Sequence, residues 1–434
     1  MDKIGEVFKS FFESTGFMNF FQGDGWMNLI MIIIGCVFLY LAIAKKFEPY
    51  LLIPIAAGII LTNIPGGHVF VKEGINSSGL IITDKIGNLF TQEEFIKMYP
   101  NLQETFTSEM LQVVDYQYSG LLGFLYYGVK YELYPCLIFL GIGATTDFGP
   151  LIANKKTMLL GGAAQIGIFV AFFLAICLGF NAYEAASIGI IGGADGPTAI
   201  LVSNSMLNAS ALAGKGSSLN LQAPIALAAY SYMALVPIIF PPIIRLFTTK
   251  KERKIKMQQL RPVSKKEKIL FPITVLLIVA LIVPAATPLI GCLMLGNLIK
   301  ESGVVPNLVH TISNALLYIC SICLGLSVGA TAIGQQFLTV QTLSIFGLGI
   351  LAFIFAAICG LLGGKLMCWL THGKVNPMIG IAGVSAVPMA ARVVQKEGQK
   401  EDPTNFLLMH AMGPNVAGVI GSAIAAGILM SIFL

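Results

Sequence analysis

Apolar residues run along this chain in blocks long enough to cross a bilayer, and two polar stretches separate them. The blocks cover 27–44, 49–64, 120–146, 157–180, 184–206, 222–247, 269–299, 308–333, 342–364, 376–395 and 405–434. A hydrocarbon core asks for about 20 apolar residues per helix. Within it, only helices and closed barrels satisfy their own backbone. The runs are continuous rather than alternating, which predicts an all-α, polytopic membrane protein. Residues 1–26 mix Phe with Asp2, Lys3, Glu6, Lys9, Glu13 and Asp24 and lack the apolar centre of a cleavable signal peptide. They read as an amphipathic helix on the membrane surface.

The first polar stretch, 66–118, carries Glu73, Asp84, Glu93, Glu94, Glu104, Glu109 and Asp115 against Lys72, Lys85 and Lys97. It is expected to be an extramembrane insert, partly helical around 91–113. The second, 248–268, holds Lys250, Lys251, Arg253, Lys254, Lys256, Arg261, Lys265, Lys266 and Lys268. Basic loops stay in the cytoplasm, so 248–268 is placed there with Lys45-Lys46 and Lys155-Lys156, and the insert outside. Three apolar blocks, 157–180, 184–206 and 222–247, then connect two cytoplasmic points. One of them must enter and leave on the same side. The choice falls on 184–206, whose centre reads Gly192-Gly193-Ala194-Asp195-Gly196-Pro197. Glycines and a proline around a carboxylate break a helix, and broken backbone at membrane depth must line a cavity or pack against protein.

The chain also repeats itself. IGIIGGADGPTAILV at 188–202 lies over IGIAGVSAVPMAARV at 379–393 without a gap. Upstream, Gly143-Ala144-Thr145 matches Gly329-Ala330-Thr331. Two matches in the same order point to an internal duplication, and a hairpin at Pro284 and Pro288 within 269–299 would set the halves in opposite orientations. Gly/Pro-interrupted segments at corresponding positions are the best sequence pointer to a transporter's site. The expected organisation is 1–65 (surface helix and two spans), 66–118 (insert), 119–247 (first repeat), 248–268 (basic loop) and 269–434 (second repeat).

Charged residues make up only 11% of the chain, less than half the share in a soluble domain, and the net charge of +5 comes largely from one loop. Neither supports nucleic-acid binding. The eight cysteines lie in apolar stretches, and Cys320-Ser-Ile-Cys323 has no second pair, so neither a disulfide framework nor zinc is implied. No Walker A loop, HExxH or GxSxG occurs.

What remains is a short set of polar residues inside apolar sequence. Asp195 is the sharpest: a carboxylate at membrane depth costs roughly 2.5–3.5 kcal/mol on insertion scales. It reads as the site of a small cation or proton, against the plainer reading of a helix cap. Broken helices coordinate Na⁺ through a carboxylate and freed carbonyls. Arg392 ends the second broken element. It is either a snorkelling side chain or an anion fork that grips a carboxylate bidentately. Asn376, Ser385 and Asn415 offer further oxygens, with ordinary interhelical hydrogen bonding as the alternative for Ser385. Tyr230 is either an interfacial aromatic or part of the site, and Asp147 reads as a membrane-edge cap.

At these residues the sequence resembles a family. GGADGPTAI at 192–200, NPMIGIAGVSAVPMAARV at 376–393 and MHAMGPNVAGVIGSA at 409–423 resemble the beta subunit of the biotin-dependent sodium-translocating decarboxylases. That family serves oxaloacetate, methylmalonyl-CoA, glutaconyl-CoA and malonate decarboxylases. The likeness covers about 27–64 and 120–434; the insert 66–118 is longer than it leads one to expect. The resemblance implies a bacterial inner-membrane subunit that decarboxylates carboxybiotin carried by a partner and exports Na⁺ with uptake of a proton. It implies an inverted-repeat, elevator-like fold. It also implies partners: a carboxyltransferase alpha subunit, a biotin carrier, a small membrane subunit, membrane lipid and further beta subunits. By resemblance, catalysis falls on Asp195, Tyr230, Ser385 and Arg392. Carboxybiotin falls on Arg392 and Asn376, and Na⁺ on Asp195, Asn376, Gly380, Ser385 and Asn415. The residues themselves leave a second reading open, an autonomous Na⁺- or H⁺-coupled transporter of a small anion.

Overall fold

The structure, a computed structural model, describes residues 25–46, 49–76, 113–212 and 221–433, with a few single positions before them. The expected surface helix in 1–26 and the helix around 91–113 lie almost wholly outside the described residues. Among those, five helices are long and apolar enough to cross a membrane: Gly25–Ala44, Lys155–Cys177, Pro306–Ala330, Val340–Leu370 and Leu408–Phe433. A sixth candidate is the pair Pro224–Tyr232 and Leu235–Phe247, bent by 59°. Large apolar side chains such as Phe124, Leu246, Leu277 and Leu281 stand exposed on the outer surface. In water such a surface would aggregate; against lipid it is the expected one.

The all-α expectation needs one correction. At the base of the insert, β1 (Val71–Asn76) pairs antiparallel with β2 (Val113–Ser119), with Val71 opposite Ser119 and Ile75 opposite Asp115. β2, VVDYQYS, alternates from Val114 and is rich in strand-favouring Val and Tyr, whereas β1, VKEGIN, offers only Val71 and Ile75. Their pairing closes the insert where it meets the membrane body. Gly120, at φ +80°, then turns the chain into a helix; a side chain there would lie 2.6 Å from both the His68 and Val69 carbonyl oxygens.

The first half of the body contains α1 (Gly25–Ala44), α2 (Pro49–Thr62), α3 (Gly120–Lys130), α4 (Leu133–Thr145), α5 (Met158–Ala164) and α6 (Ile166–Cys177). It continues through α7 (Ala182–Gly189), α8 (Gly196–Leu212) and α9 (Gln222–Phe247). The second half contains α10 (Lys265–Ile282), α11 (Thr287–Ser302), α12 (Leu317–Ala330), α13 (Val340–Leu370), α14 (Met389–Glu401) and α15 (Leu408–Phe433). Between α10 and α11 the chain turns through the short 3-10 helix Pro284–Ala286, and the two helices pack on each other.

The two halves grip each other reciprocally. α2 packs on α12, and α11 on α4. A Cβ on Gly58 of α2 would overlap the Leu326 oxygen and lie 3.1 Å from Ala330 N; one on Gly296 of α11 would overlap the Leu140 oxygen and lie 2.9 Å from Ala144 N. In return, Gly329 sits 2.9 Å from Ile59 N and Gly143 sits 3.1 Å from Asn297 N, measured the same way. Both crossings therefore use the same spacing of glycine against backbone, and Gly143 and Gly329 belong to the two matched Gly-Ala-Thr motifs. Membrane helices associate through such small-residue contacts, where backbones come together without side chains between them.

Each half also has a broken element. In the first, a capping box starts α7: Asn181 Oδ1 accepts from Glu184 N at 2.9 Å and Glu184 Oε2 accepts from Asn181 N at 2.9 Å. The helix tightens into a 3-10 turn at Ile190–Gly193, and Ala194 takes a left-handed φ of 52°. α8 then folds back along α7, so that Tyr183, Glu184 and Ser187 share a small cavity with Ser203, Met206 and Leu207. In the second, the 3-10 stretch Pro377–Gly383 leads through a bend and a turn over 384–388 to α14. The buried side chains fall into two apolar cores. The larger includes the broken elements and much of α6, α13 and α15. The smaller gathers α2, α3, α4 and α12 around Tyr230 and Ile200.

Candidate functional site

A cavity of about 480 Å³ opens at the seam of the two cores. Its wall includes Asp195, Tyr230, Ser385 and Arg392, four residues drawn from three separate parts of the chain. Lys46, Tyr50, Thr145 and Tyr318 also line it, with the Tyr50 and Tyr318 rings stacked 5.0 Å apart.

Asp195 stands at the N-terminus of α8, where Ala199 N donates to its carbonyl at 2.9 Å. Its Oδ2 accepts hydrogen bonds from Thr198 Oγ1 at 2.7 Å and from Ser422 Oγ of α15 at 2.8 Å. The carboxylate is thus a helix cap and a cavity wall at once: the positive end of the helix and two hydroxyls favour its charge, while burial to 6% exposure opposes it. Thr198 is legible from the capping spacing. Ser422 lies 227 residues away and has no local signal.

Tyr230 is buried at 1% exposure rather than interfacial. Its ring occupies the space that a Gly196 side chain would take: an added Cβ would overlap Cε1 and Cζ and lie 2.7 Å from Oη. The glycine next to Asp195 is what lets the ring approach. Ser385 Oγ is buried and makes no hydrogen bond among the described residues. Arg392 is exposed on the cavity wall. The carboxylates further along α14 are engaged by other cations, Glu397 by Arg245 and Lys400, and Glu401 by Arg253.

The other expected site residues lie outside this wall. Asn376 is wholly buried; its Nδ2 donates to Arg253 O at 3.0 Å and Ile255 O at 2.9 Å, and its Oδ1 accepts from Met378 N at 3.0 Å. The two donor bonds fasten the basic loop to the second broken element, and the acceptor bond caps that element's own 3-10 stretch. Gly380 packs on the Gly360 oxygen and Gly364 of α13. Asn415 donates from Nδ2 to Ala382 O at 2.9 Å and Val384 O at 2.8 Å, holding the same element from α15. Asp147 caps a short turn, with Oδ1 accepting from Gly149 N at 2.9 Å.

The basic loop is tied down by ion pairs. Arg253 meets Glu401 at 2.8 Å, Lys256 meets Asp402 at 3.0 Å and Arg261 meets Glu267 at 2.8 Å. The Arg261 guanidinium, helped by the Ser264 backbone N–H, holds the Glu267 carboxyl down at about 2. Among the described residues no cluster of three or more His, Cys, Asp or Glu is placed to hold a metal. The arrangement instead offers one carboxylate with hydroxyls for a hard monovalent cation, and one guanidinium for an anion, in a single cavity.

Residues 27–433 match the family model described as Na⁺-transporting oxaloacetate decarboxylase beta subunit. The chain is 54% identical over 430 residues to the methylmalonyl-CoA decarboxylase subunit beta of Propionigenium modestum, covering 98% of each. It is 49% identical over 404 residues to the glutaconyl-CoA decarboxylase subunit beta of Acidaminococcus fermentans, covering 93% of this chain and 92% of that one. It is 49% identical over 424 residues to the oxaloacetate decarboxylase beta chain of Klebsiella pneumoniae, covering 93% and 95%. With its apolar helices, this makes it a multi-pass protein of the bacterial inner membrane. The chain belongs to the beta-subunit family of the Na⁺-transporting decarboxylases and is the membrane subunit of a sodium-pumping decarboxylase.

Proposed function

We propose that this subunit decarboxylates carboxybiotin presented by a carrier subunit and exports Na⁺ through Asp195, taking up a proton. The observation that carries the reading is the single cavity joining Asp195 and Arg392. Carboxybiotin supplies a carboxylate whose departure as CO₂ leaves a ureido nitrogen in need of a proton. Arg392 holds that carboxylate, since its planar fork matches two oxygens. Tyr230, packed against Gly196, forms the wall beside Asp195. Na⁺ requires Asp195 ionised, and a proton competes for the same oxygens, so exchange of one for the other at this carboxylate couples chemistry to transport. Ser385 Oγ, buried and unbonded among the described residues, adds an oxygen to the same cavity. Asn376, Gly380 and Asn415 support the ion site by holding the second broken element in place.

The halves 119–247 and 269–434 are read as inverted repeats, 66–118 as an external insert and 248–268 as cytoplasmic. The reciprocal α2–α12 and α4–α11 crossings support an internal duplication, and they add α2, ahead of residue 119, to the first half. The position of the cavity at the seam of two cores supports elevator-like movement of the larger core, with its broken elements, against the smaller. The partners in this reading are a carboxyltransferase alpha subunit, a biotin carrier, a small membrane subunit and further beta subunits. The test is purification of the native complex, a streptavidin blot for a biotinylated partner, and assay of Na⁺-stimulated decarboxylation with oxaloacetate, methylmalonyl-CoA and glutaconyl-CoA. A biotinylated partner and turnover of one acid are expected; neither partner nor turnover would overturn the reading of carboxybiotin as the substrate held by Arg392.

A further inference from the structure

Gln165 interrupts an otherwise apolar rod. It lies at the junction of α5 and α6 with 5% exposure. Its Nε2 donates to Gly418 O of α15 at 3.1 Å and to Gly161 O at 3.4 Å, while its Oε1 is buried with no hydrogen-bond partner among the described residues. Rotating the amide by half a turn would set its oxygen against those two carbonyls, so the assignment of N and O is fixed by the neighbours. A buried acceptor left without a donor costs as much as a lost hydrogen bond, which makes it a natural ligand for a cation.

The neighbours say which cation. A Cβ on Gly193, at the tip of the first broken element, would lie 3.5 Å from Gln165 Oε1 and 3.3 Å from Ser422 Cβ. Ser422 is the residue whose hydroxyl bonds Asp195 Oδ2 at 2.8 Å. Gln165 Oε1, the Gly193 backbone, Ser422 and Asp195 therefore form one continuous neighbourhood. Along α15, Asn415, Gly418 and Ser422 fall at i, i+3 and i+7, on one helix face. That face carries the contacts to the second broken element, to Gln165 and to Asp195 in turn. Asn415 Oδ1 is a second buried oxygen without a donor among the described residues.

We infer that Gln165 Oε1 is an oxygen ligand of the Na⁺ bound at Asp195, added from the rod against which the broken element packs. The inference rests on the reading of Asp195 as the Na⁺ carboxylate. A neutral amide oxygen adds a hard ligand without adding charge, the role that freed carbonyls play at broken helices.

The test is equilibrium binding of radiosodium to the purified complex, comparing wild type with Gln165→Leu, Gln165→Glu and Asp195→Asn. Gln165→Leu removes the oxygen at similar volume and is expected to weaken binding roughly tenfold, the size of one ion–dipole contact. Gln165→Glu keeps an oxygen but loses the donor to Gly418, and is expected to bind Na⁺ at least as tightly as wild type. Asp195→Asn is expected to lose saturable binding. Wild-type binding by Gln165→Leu with loss in Asp195→Asn would overturn the inference and leave the Asp195 reading standing. Equal weakening in the Leu and Glu variants would reduce Gln165 to a brace for Gly418 and also overturn it. Wild-type binding in all three variants would overturn the Asp195 reading and this inference together. If Gln165→Leu does not assemble, Gln165→Glu decides: weakened Na⁺ binding refutes the ligand role, and wild-type or tighter binding sustains it.

Discussion

Gly196→Ala is a one-methyl test of the cavity. Gly196 is buried and its φ lies outside the left-handed region, so the backbone tolerates alanine. In an open helix the change would stabilise by about 0.5–1 kcal/mol. Here the new methyl overlaps Cε1 and Cζ of Tyr230, whose ring is 1% exposed and has no solvent to retreat into. Overpacking of this kind costs about 1–3 kcal/mol, so the packing term wins. The strain is relieved by moving either the ring or the start of α8, which carries Asp195. A displacement of about 1 Å at a reacting centre costs on the order of 10²-fold in rate. Gly196→Ala is therefore expected to lower Na⁺-stimulated decarboxylation by at least about tenfold and to lower the unfolding midpoint of the purified complex. Tyr230→Leu removes the obstructing ring, and in that background Gly196→Ala should cost little stability, giving a coupling of about 1–3 kcal/mol in a double-mutant cycle. Wild-type turnover and stability for Gly196→Ala, or the same penalty with and without the Tyr230 ring, would refute the argument.

Further predictions concern the anion, the loop and the topology. Arg392→Lys is expected to reduce carboxybiotin turnover more than Ala391→Val, because an ammonium cannot make the bidentate fork; equal rates for Arg392→Lys and wild type would leave Arg392 a snorkelling residue. Glu267 has a folded pKa of about 2 against an ordinary 4.5. Its contribution is therefore present above the unfolded value and lost as pH falls from 4.5 through about 2. The stability difference between wild type and Glu267→Gln should be seen at pH 7 and shrink progressively below about pH 4, read by thermal unfolding. Cysteines placed in 248–268 should label from the cytoplasmic side of the membrane only, and those in 66–118 from outside; the reverse would overturn the topology and the re-entrant reading of 184–206.

Most of the membrane body is legible in the sequence because burial in lipid demands long apolar runs, and those are local. The break at Gly192–Pro197 is local too, and the structure places a 3-10 turn and a left-handed Ala194 there. Asp195 and Arg392 stand out because ionised groups are rare in such sequence, and the fold brings both to one cavity. The misses are long-range. β1 and β2 find each other across the whole insert, and six or seven residues with weak alternation do not name a partner. Asn376 stands beside Pro377 in the sequence, and nothing local shows that its Nδ2 reaches carbonyls more than 120 residues earlier in the chain. Ser422 is an ordinary helix serine until α15 lies against Asp195. Gln165 did carry a signal, a lone amide in apolar sequence, but only its buried, unbonded oxygen turns that signal toward a cation.

In the proposed mechanism Asp195 is the carboxylate that binds the transported Na⁺. Asp195→Asn tests it with little structural cost, since Asn caps a helix about as well as Asp and still offers an oxygen to Thr198 and Ser422. What it removes is charge: opposite unit charges about 4 Å apart are worth about 4 kcal/mol at an effective dielectric of about 20. That corresponds to roughly a thousandfold in affinity. The measurement is decarboxylation and radiosodium uptake by the reconstituted complex against Na⁺ concentration, at two pH values. Asp195→Asn is expected to assemble with its partners but to lose Na⁺ stimulation and Na⁺ uptake together, and the wild type to need more Na⁺ at the lower pH. A variant that assembles and keeps wild-type Na⁺ activation would contradict that role, leaving Asp195 a cap on a broken helix.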